Sequence, residues 1–257
     1  MEITTKNPID GSDFLWIEND FSINNLPGLD FEVSQKKGSL KYILEKDLGV
    51  IDAGAHIGDY GIPLAHSLLN LNKEHITVYC IDPCEKKCEY MSDVVKLNNL
   101  PNVKILNYGL SDNDSRHETC QDGRGGKLNP YNLKNRNTGA WQYKKSPNGT
   151  PFTTLDKLYD SKIIHSIGFF WLDAQWMELE ILRGADRFLK KHKPYILMEY
   201  WPIQTFCQDG VSANITRRGT KIELSEDKGF NEVFDNLGIS ISKKKDDQLH
   251  DILLEFI

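Results

Sequence analysis

Residues 49–61 read G-V-I-D-A-G-A-H-I-G-D-Y-G. The stretch opens on apolar residues that suit a buried strand and passes Asp52, Gly54 and Gly58 before a helical pattern begins near Tyr60. Glycines at a strand-to-helix turn let the backbone fold tightly and approach a ligand closely, because no Cβ intervenes. The turn therefore predicts a nucleotide-like cofactor at the carboxyl end of the first strand of an open α/β sheet. A dinucleotide site usually reads G-x-G-x-x-G and sets pyrophosphate on the helix N-terminus. Here the spacing is D-x-G-x-x-x-G, followed at once by Asp59. Two carboxylates would repel a phosphate, whereas the sulfonium and ammonium groups of S-adenosylmethionine would be attracted.

The chain has 257 residues, 39% hydrophobic and 26% charged, which fits an ordinary soluble globular protein with a substantial core. Its net charge of -6 excludes a globally basic face for nucleic acid, so duplex binding would need a local patch. No apolar run approaches membrane-spanning length and the N-terminus has no signal pattern, so the expectation is a cytoplasmic protein without a membrane partner. Cys80, Cys84 and Cys88 form C-x-x-x-C-x-x-x-C, a spacing reminiscent of a cluster site. Cys80 falls inside a strand pattern and the other two on the following helix, so one loop would not present all three. They read as reduced packing thiols.

Along the chain, residues 1–45 are irregular with scattered aromatics (Phe14, Trp16, Phe21, Phe31), which predicts an N-terminal cover and a short helix near residues 40–46. I-T-V-Y-C-I-D-P is a continuous apolar run stopping at Asp82, as a strand buried on both faces should be. Asp82 lies about thirty residues after Asp52, somewhat beyond the spacing at which a doubly wound fold puts the acid that holds a ribose, but its two oxygens match two hydroxyls; the alternative is a cap on the helix that starts at Cys84. V-K-I-L-N-Y-G-L reads as a third strand ending at Ser111 and Asp112, an acid that could accept from an adenine amino group or simply make a turn. From residue 113 to 150 apolar runs vanish while glycines, basic residues and the aromatics Tyr131, Trp141 and Tyr143 accumulate, which predicts an insertion forming a lid or sugar-binding rim. I-G-F-F-W-L-D-A-Q is a fourth strand ending at Asp173, followed by one helix across M-E-L-E-I-L-R-G-A-D-R-F-L-K-K-H; P-Y-I-L-M-E-Y-W is a fifth, with Glu199 near its tip. A second polar insertion spans residues 202–229, and a short helix and two strand-like runs close the chain.

Taken in order, D-A-G-A-H-I-G-D-Y, C-I-D-P, K-L-N-N-L-P-N-V, G-L-S-D, T-T-L-D, L-D-A-Q-W-M-E-L-E-I-L-R-G-A and P-Y-I-L-M-E resemble FkbM-type methyltransferases over residues 46–201. The resemblance implies one Rossmann-like class I methyltransferase domain across residues 1–257, with a seven-stranded, mostly parallel sheet and an antiparallel C-terminal strand. It also implies S-adenosylmethionine as donor and a hydroxyl acceptor, frequently on a sugar or glycan. Carried over, Asp52, Gly54, Ala55, His56, Gly58 and Tyr60 would surround the methionine end of the cofactor. Asp82 would hold the ribose, with Ser111 and Asp112 near the adenine. The chain departs from the family pattern at Asp82, where Glu is usual, at Trp171, which replaces a Lys, and at Trp176, which stands where Gly is typical. An indole at that last position must fill the acceptor pocket or move the backbone.

Methyl transfer to a hydroxyl needs in-line geometry and help with the proton. Asp173 is the first candidate base, with Glu178 and Glu199 as alternatives or as holders of sugar hydroxyls; the same acids could instead bind a divalent cation that lowers the hydroxyl pKa. Two rival readings remain at this point: methylation of a nucleic acid or small metabolite, and a catalytically inactive binding module with a methyltransferase fold.

Overall fold

The computed structural model describes residues 1–18, 33–121, 142–175, 177–199, 228–244 and 251–257. In chain order the elements are β1 (Glu2–Lys6), β2 (Asp13–Ile17), α1 (Val33–Lys46), β3 (Gly49–Ala53), α2 (Gly61–Asn70), β4 (Val78–Ile81), α3 (Glu85–Leu97) and β5 (Val103–Leu106). Then come β6 (Gly109–Leu110), β7 (Ser115–Gln121), β8 (Gln142–Lys145), β9 (Thr150–Thr153), α4 (Leu155–Asp160), β10 (Ile167–Leu172), α5 (Glu178–Arg183) and α6 (Asp186–His192). The last are β11 (Tyr195–Glu199), α7 (Lys228–Leu237), β12 (Ile239–Lys244) and β13 (Asp251–Phe256).

Seven strands make the main sheet in the order β12-β13-β11-β10-β3-β4-β5. The pairs β11/β10, β10/β3, β3/β4 and β4/β5 are parallel, and β13 runs antiparallel to both of its neighbours. The central strands are apolar on both faces because both are covered. Val50, Val78, Phe169 and Trp171 pack on one side with Ile43, Leu64, Met91 and Trp16, while Ile51, Tyr79, Phe170 and Met198 pack on the other with Ile181, Phe188 and Phe230. Alternation along each strand sends successive side chains to the two layers.

The N-terminal segment is more regular than its sequence implies. β1 and β2 form a hairpin whose Phe14 and Trp16 are fully buried. It is pinned to α3, where Asn98 exchanges two hydrogen bonds with the Leu15 backbone and the Tyr90 hydroxyl donates to the Ile17 carbonyl. α1 begins at Val33, well before the residues expected to start it, and its buried face carries Gln35, Lys36 and Ser39 beside Ile43. Phe21 and Phe31 lie outside the described residues.

Two further expectations are corrected. The predicted third strand divides: β5 stays in the main sheet, while β6 joins β9, β7 and β8 in a second, four-stranded sheet, so Ser111 and Asp112 follow a strand of that sheet. Both described ends of the 113–150 segment are thus β-structure, whereas Tyr131 and Trp141 fall outside the described residues. The single helix expected after Asp173 is two, α5 and α6, parted at Gly184. A Cβ there would stand 2.0 Å from the Ser111 carbonyl oxygen, so the chain is pressed against the second sheet at a point that only glycine fits. Asp156 then restarts the helix by accepting from the backbone N–H groups of Arg187 and Phe188 at 3.2 and 2.8 Å.

Gly184→Ala should therefore lower unfolding free energy by about 1–3 kcal/mol, the usual cost of overpacking. Urea denaturation with an unchanged midpoint would show that this contact is not tight.

Candidate active site

Strand register builds the site. Ala53, the last residue of β3, is level with Leu172 of β10 and Ile81 of β4, and Leu172 is level with Met198 of β11. The next residues, Gly54, Asp173, Asp82 and Glu199, therefore leave the sheet side by side at one edge. Asp82 and Asp173 flank the β3 tip two strand spacings apart, about 10 Å. Gly54 has φ +80, and a Cβ on it would lie 1.8 Å from the Asp173 carbonyl oxygen, so the two loops touch through backbone alone.

A cleft opens over these tips, with about 500 Å³ of empty space counted out into open solvent. Gly54, His56, Asp82, Pro83 and Lys87 line one end, Asp173, Ala174 and Gln175 the other, and Tyr108, Tyr143, Phe152, Met177 and Ile181 face them. Of the residues nominated from sequence, Gly54, His56, Asp82 and Asp173 line the cleft. Asp52, Ala55, Gly58 and Tyr60 sit behind the first loop. Ser111 and Asp112 lie beyond β6, and Glu178 and Glu199 lie behind the Asp173 turn.

Asp82 accepts from the His56 backbone N–H at 3.0 Å with one oxygen and from Cys84 N–H at 2.8 Å with the other. Cys84 precedes the first residue of α3, so the carboxylate ties the glycine loop to the entrance of α3 without capping the helix's own N–H groups. Burial raises the Asp82 pKa, opposed by the Lys87 ammonium 3.9 Å away and by the two backbone donors. His56 takes left-handed backbone, φ 54. Burial, with Lys87 beside it, pushes its imidazole down to about 3, so the ring is neutral at pH 7.

The cofactor loop is braced from the N-terminal cover. The fully buried Lys36 of α1 pairs with Asp59 at 3.0 Å, and the Tyr60 hydroxyl donates to Ser39 at 2.9 Å. Burial is the largest single effect and opposes the Asp59 charge, but its neighbours together, Lys36 foremost, outweigh it and the carboxyl stays below its usual range. Tyr60 also stacks on Trp171, ring centroids 4.0 Å apart, so the indole that departs from the family pattern braces the loop from the sheet. Asp52 accepts from Gly61 N–H at 2.9 Å and is pushed up to about 8, first by burial and then by the charge of Asp59.

Around Asp173 three acids converge. One potential ligand atom each of Asp173, Glu178 and Glu199 lies within 4.8 Å of the others. Glu178 accepts from Ala174 N–H at 2.9 Å, and the Gln175 amide donates to Asp173 Oδ1 at 2.9 Å and to Glu199 Oε2 at 3.3 Å. Burial raises the Asp173 pKa, opposed first by a hydrogen bond with the Glu199 carboxyl and then by the one from Gln175. Gln175 has φ 50, which costs a non-glycine residue about 1–2 kcal/mol. Trp176 lies outside the described residues. Cys80 is buried in β4 and Cys88 is on α3, as the sequence implied, whereas Cys84 immediately precedes that helix rather than lying on it; burial raises all three thiol pKa values.

Sequence reasoning missed Lys36, Lys87, Gln175 and the apolar wall of Phe152, Met177 and Ile181. Met177 and Ile181 carried a usable signal, a four-residue spacing just after a strand that ends in an acid. Lys36 and Gln175 carried none, since each is defined by a partner distant in sequence or by backbone angle.

The raised Asp52 pKa makes stability pH-dependent. Below about pH 4 the acid is protonated folded and unfolded; between there and about 8 only the folded chain keeps the proton, so this contribution falls as pH rises and levels off above 8. The difference in unfolding free energy, wild type minus Asp52→Asn, should shrink steadily from pH 4 to 8. A difference constant across that window would contradict the assignment.

A family model described as the methyltransferase FkbM domain matches residues 52–250. No curated protein matches the chain. Among solved structures it is similar to methyltransferase FkbM from Methylobacillus flagellatus KT, at 15% identity and TM-score 0.46 over 81% of this chain and 43% of that one. This chain thus spans less than half the length of that protein. It is also similar to precorrin-6y C5,15-methyltransferase from Geobacter metallireducens GS-15, at 13% identity and TM-score 0.44 over 93% of each chain. A further likeness is to TYW2 of M. jannaschii in complex with AdoMet, at 13% identity and TM-score 0.40 over 100% of this chain and 87% of that one. With the match to the family model running from the end of β3 through the glycine loop, both flanking acids and the other four parallel strands, the chain belongs to the FkbM family of S-adenosylmethionine-dependent methyltransferases.

Proposed function

We propose that this chain transfers the methyl group of S-adenosylmethionine to a hydroxyl of a sugar or glycan. The observation that carries this reading is the pair Asp82 and Asp173, set on either side of Gly54 at the mouth of one cleft. A donor lying along the strand tips would span that separation, ribose at Asp82 and sulfonium toward Asp173. The site fits such a group chemically: His56 is neutral, the ionised Asp59 behind the loop would repel a phosphate, and apolar side chains face the tips.

Bound there, S-adenosylmethionine would supply an electrophilic methyl group. Asp82 already accepts one backbone hydrogen bond on each oxygen, and the remaining lone pairs suit ribose hydroxyls. Gly54, Asp52, Ala55, Gly58 and Tyr60 fix the loop that would enclose the methionine end, with Ser111 and Asp112 beyond the opposite rim. Asp173 would take the proton of the acceptor hydroxyl, its raised pKa bringing it nearer the working pH. Glu178 and Glu199 hold the turn that carries it.

Support for a sugar acceptor comes from the second sheet. Tyr108, Tyr143 and Phe152 line the cleft opposite the acids, and Tyr143 packs on Phe152 with centroids 5.4 Å apart. A sugar presents an apolar ring face to such a wall and hydroxyls to carboxylates. Among the described residues no helix is long and apolar enough to cross a membrane.

Titration calorimetry with S-adenosylmethionine, followed by methyl transfer to a glycan panel, tests the reading. Asp82→Asn should weaken binding by about tenfold or more, the worth of hydrogen bonds to a charged group. Asp173→Asn should bind within about twofold of wild type but transfer about a hundredfold more slowly. No heat with wild type would reject the donor; wild-type turnover in Asp173→Asn would reject the base.

A further inference from the structure

Asp173, Glu178 and Glu199 gather closely enough to repel one another wherever they are ionised; a hydrogen bond between the Asp173 and Glu199 carboxyls relieves part of this, and something must hold the rest. A divalent cation is one solution. The 173–175 turn contains another, because each acid receives a donor from it: Glu178 from the Ala174 N–H, and Asp173 and Glu199 from the two amide hydrogens of Gln175. The amide nitrogen must be the atom facing the acids, since its oxygen there would add a third partial negative charge. The backbone is bent to this end. Gln175 takes φ 50, a left-handed conformation that a long side chain rarely adopts, at the cleft wall.

We propose that Gln175 is a positioning residue of the methyl-transfer site, its amide joining Asp173 to Glu199 in the place that a divalent cation would otherwise take. The role assigned to Asp173 rests on the methyltransferase reading, but the amide clamp does not. Gln175 keeps the Asp173 carboxylate turned into the cleft and leaves the acid cluster without need of a metal. A Glu at this position would add a fourth carboxylate in place of two donors and turn the same turn into a cation site.

Manganese binding, followed by loss of the free Mn2+ electron-paramagnetic-resonance signal, tests this in the wild-type chain, Gln175→Glu and Gln175→Asn. The asparagine suits left-handed backbone, so that variant keeps the turn while its shorter amide no longer spans both acids. Wild type should leave the signal undiminished at millimolar protein, and Gln175→Glu should bind Mn2+ at least about tenfold more tightly. Gln175→Asn should fall between them. Wild-type binding of Mn2+ that is lost in Gln175→Asn would overturn the proposal, by making the amide oxygen a metal ligand; equal binding by all three chains would overturn it too. Calorimetry with S-adenosylmethionine on the same samples separates the two readings, since absence of heat refutes the donor while the manganese series still decides the clamp.

Discussion

The contact between Gly54 and the Asp173 carbonyl is the constraint from which the site follows. Parallel pairing aligns the ends of β4, β3, β10 and β11, and the missing Cβ lets the first and fourth loops close against each other at backbone distance. Any side chain at Gly54 would wedge the tips apart and separate the two acids that the cleft brings together. The sheet is thus the ruler and the glycine the stop: one sets the spacing across the edge, the other how deep the cleft begins.

Around this contact the charges are arranged in three separate ways. Asp59 is held ionised by Lys36, a lysine delivered by the N-terminal helix rather than by the cofactor loop itself. Asp82 is held by backbone donors from two elements and by nearby Lys87. Asp173 is held by an amide from its own turn. Burying an acid without a partner is costly, and each of these three has been given a different one. The N-terminal cover is accordingly part of the site's electrostatics, joined to it through Lys36 and through Ser39 under Tyr60.

What could be read from sequence tracks how local the governing physics is. β3, β4 and β10 are buried on both faces and β11 on one, with its other face half-buried, and β4, β10 and β11 appear as unbroken apolar runs that stop at Asp82, Asp173 and Glu199. α1 was only half legible because its buried face holds Gln35, Lys36 and Ser39, and an apolar periodicity does not exist there to be found. β7, S-R-H-E-T-C-Q, has no strand pattern of its own; its partners lie some thirty residues on, at β8 and β9. The break between α5 and α6 is invisible for the same reason, since Gly184 is required by Ser111, more than seventy residues earlier. The acids of the site were found because strand ends announce themselves. Gln175, which ties two of them together, follows no periodicity and declares itself only by its backbone angle and its partners.

A crystal structure of the chain with S-adenosylhomocysteine tests most directly whether the donor lies across Asp82 and Asp173. Density is expected along the strand tips, with ribose hydroxyls on Asp82 and the thioether sulfur beside the Asp173 end of the cleft. Density elsewhere on the protein, or a ligand whose ribose and sulfur both lie on the same side of Gly54, would contradict this placement.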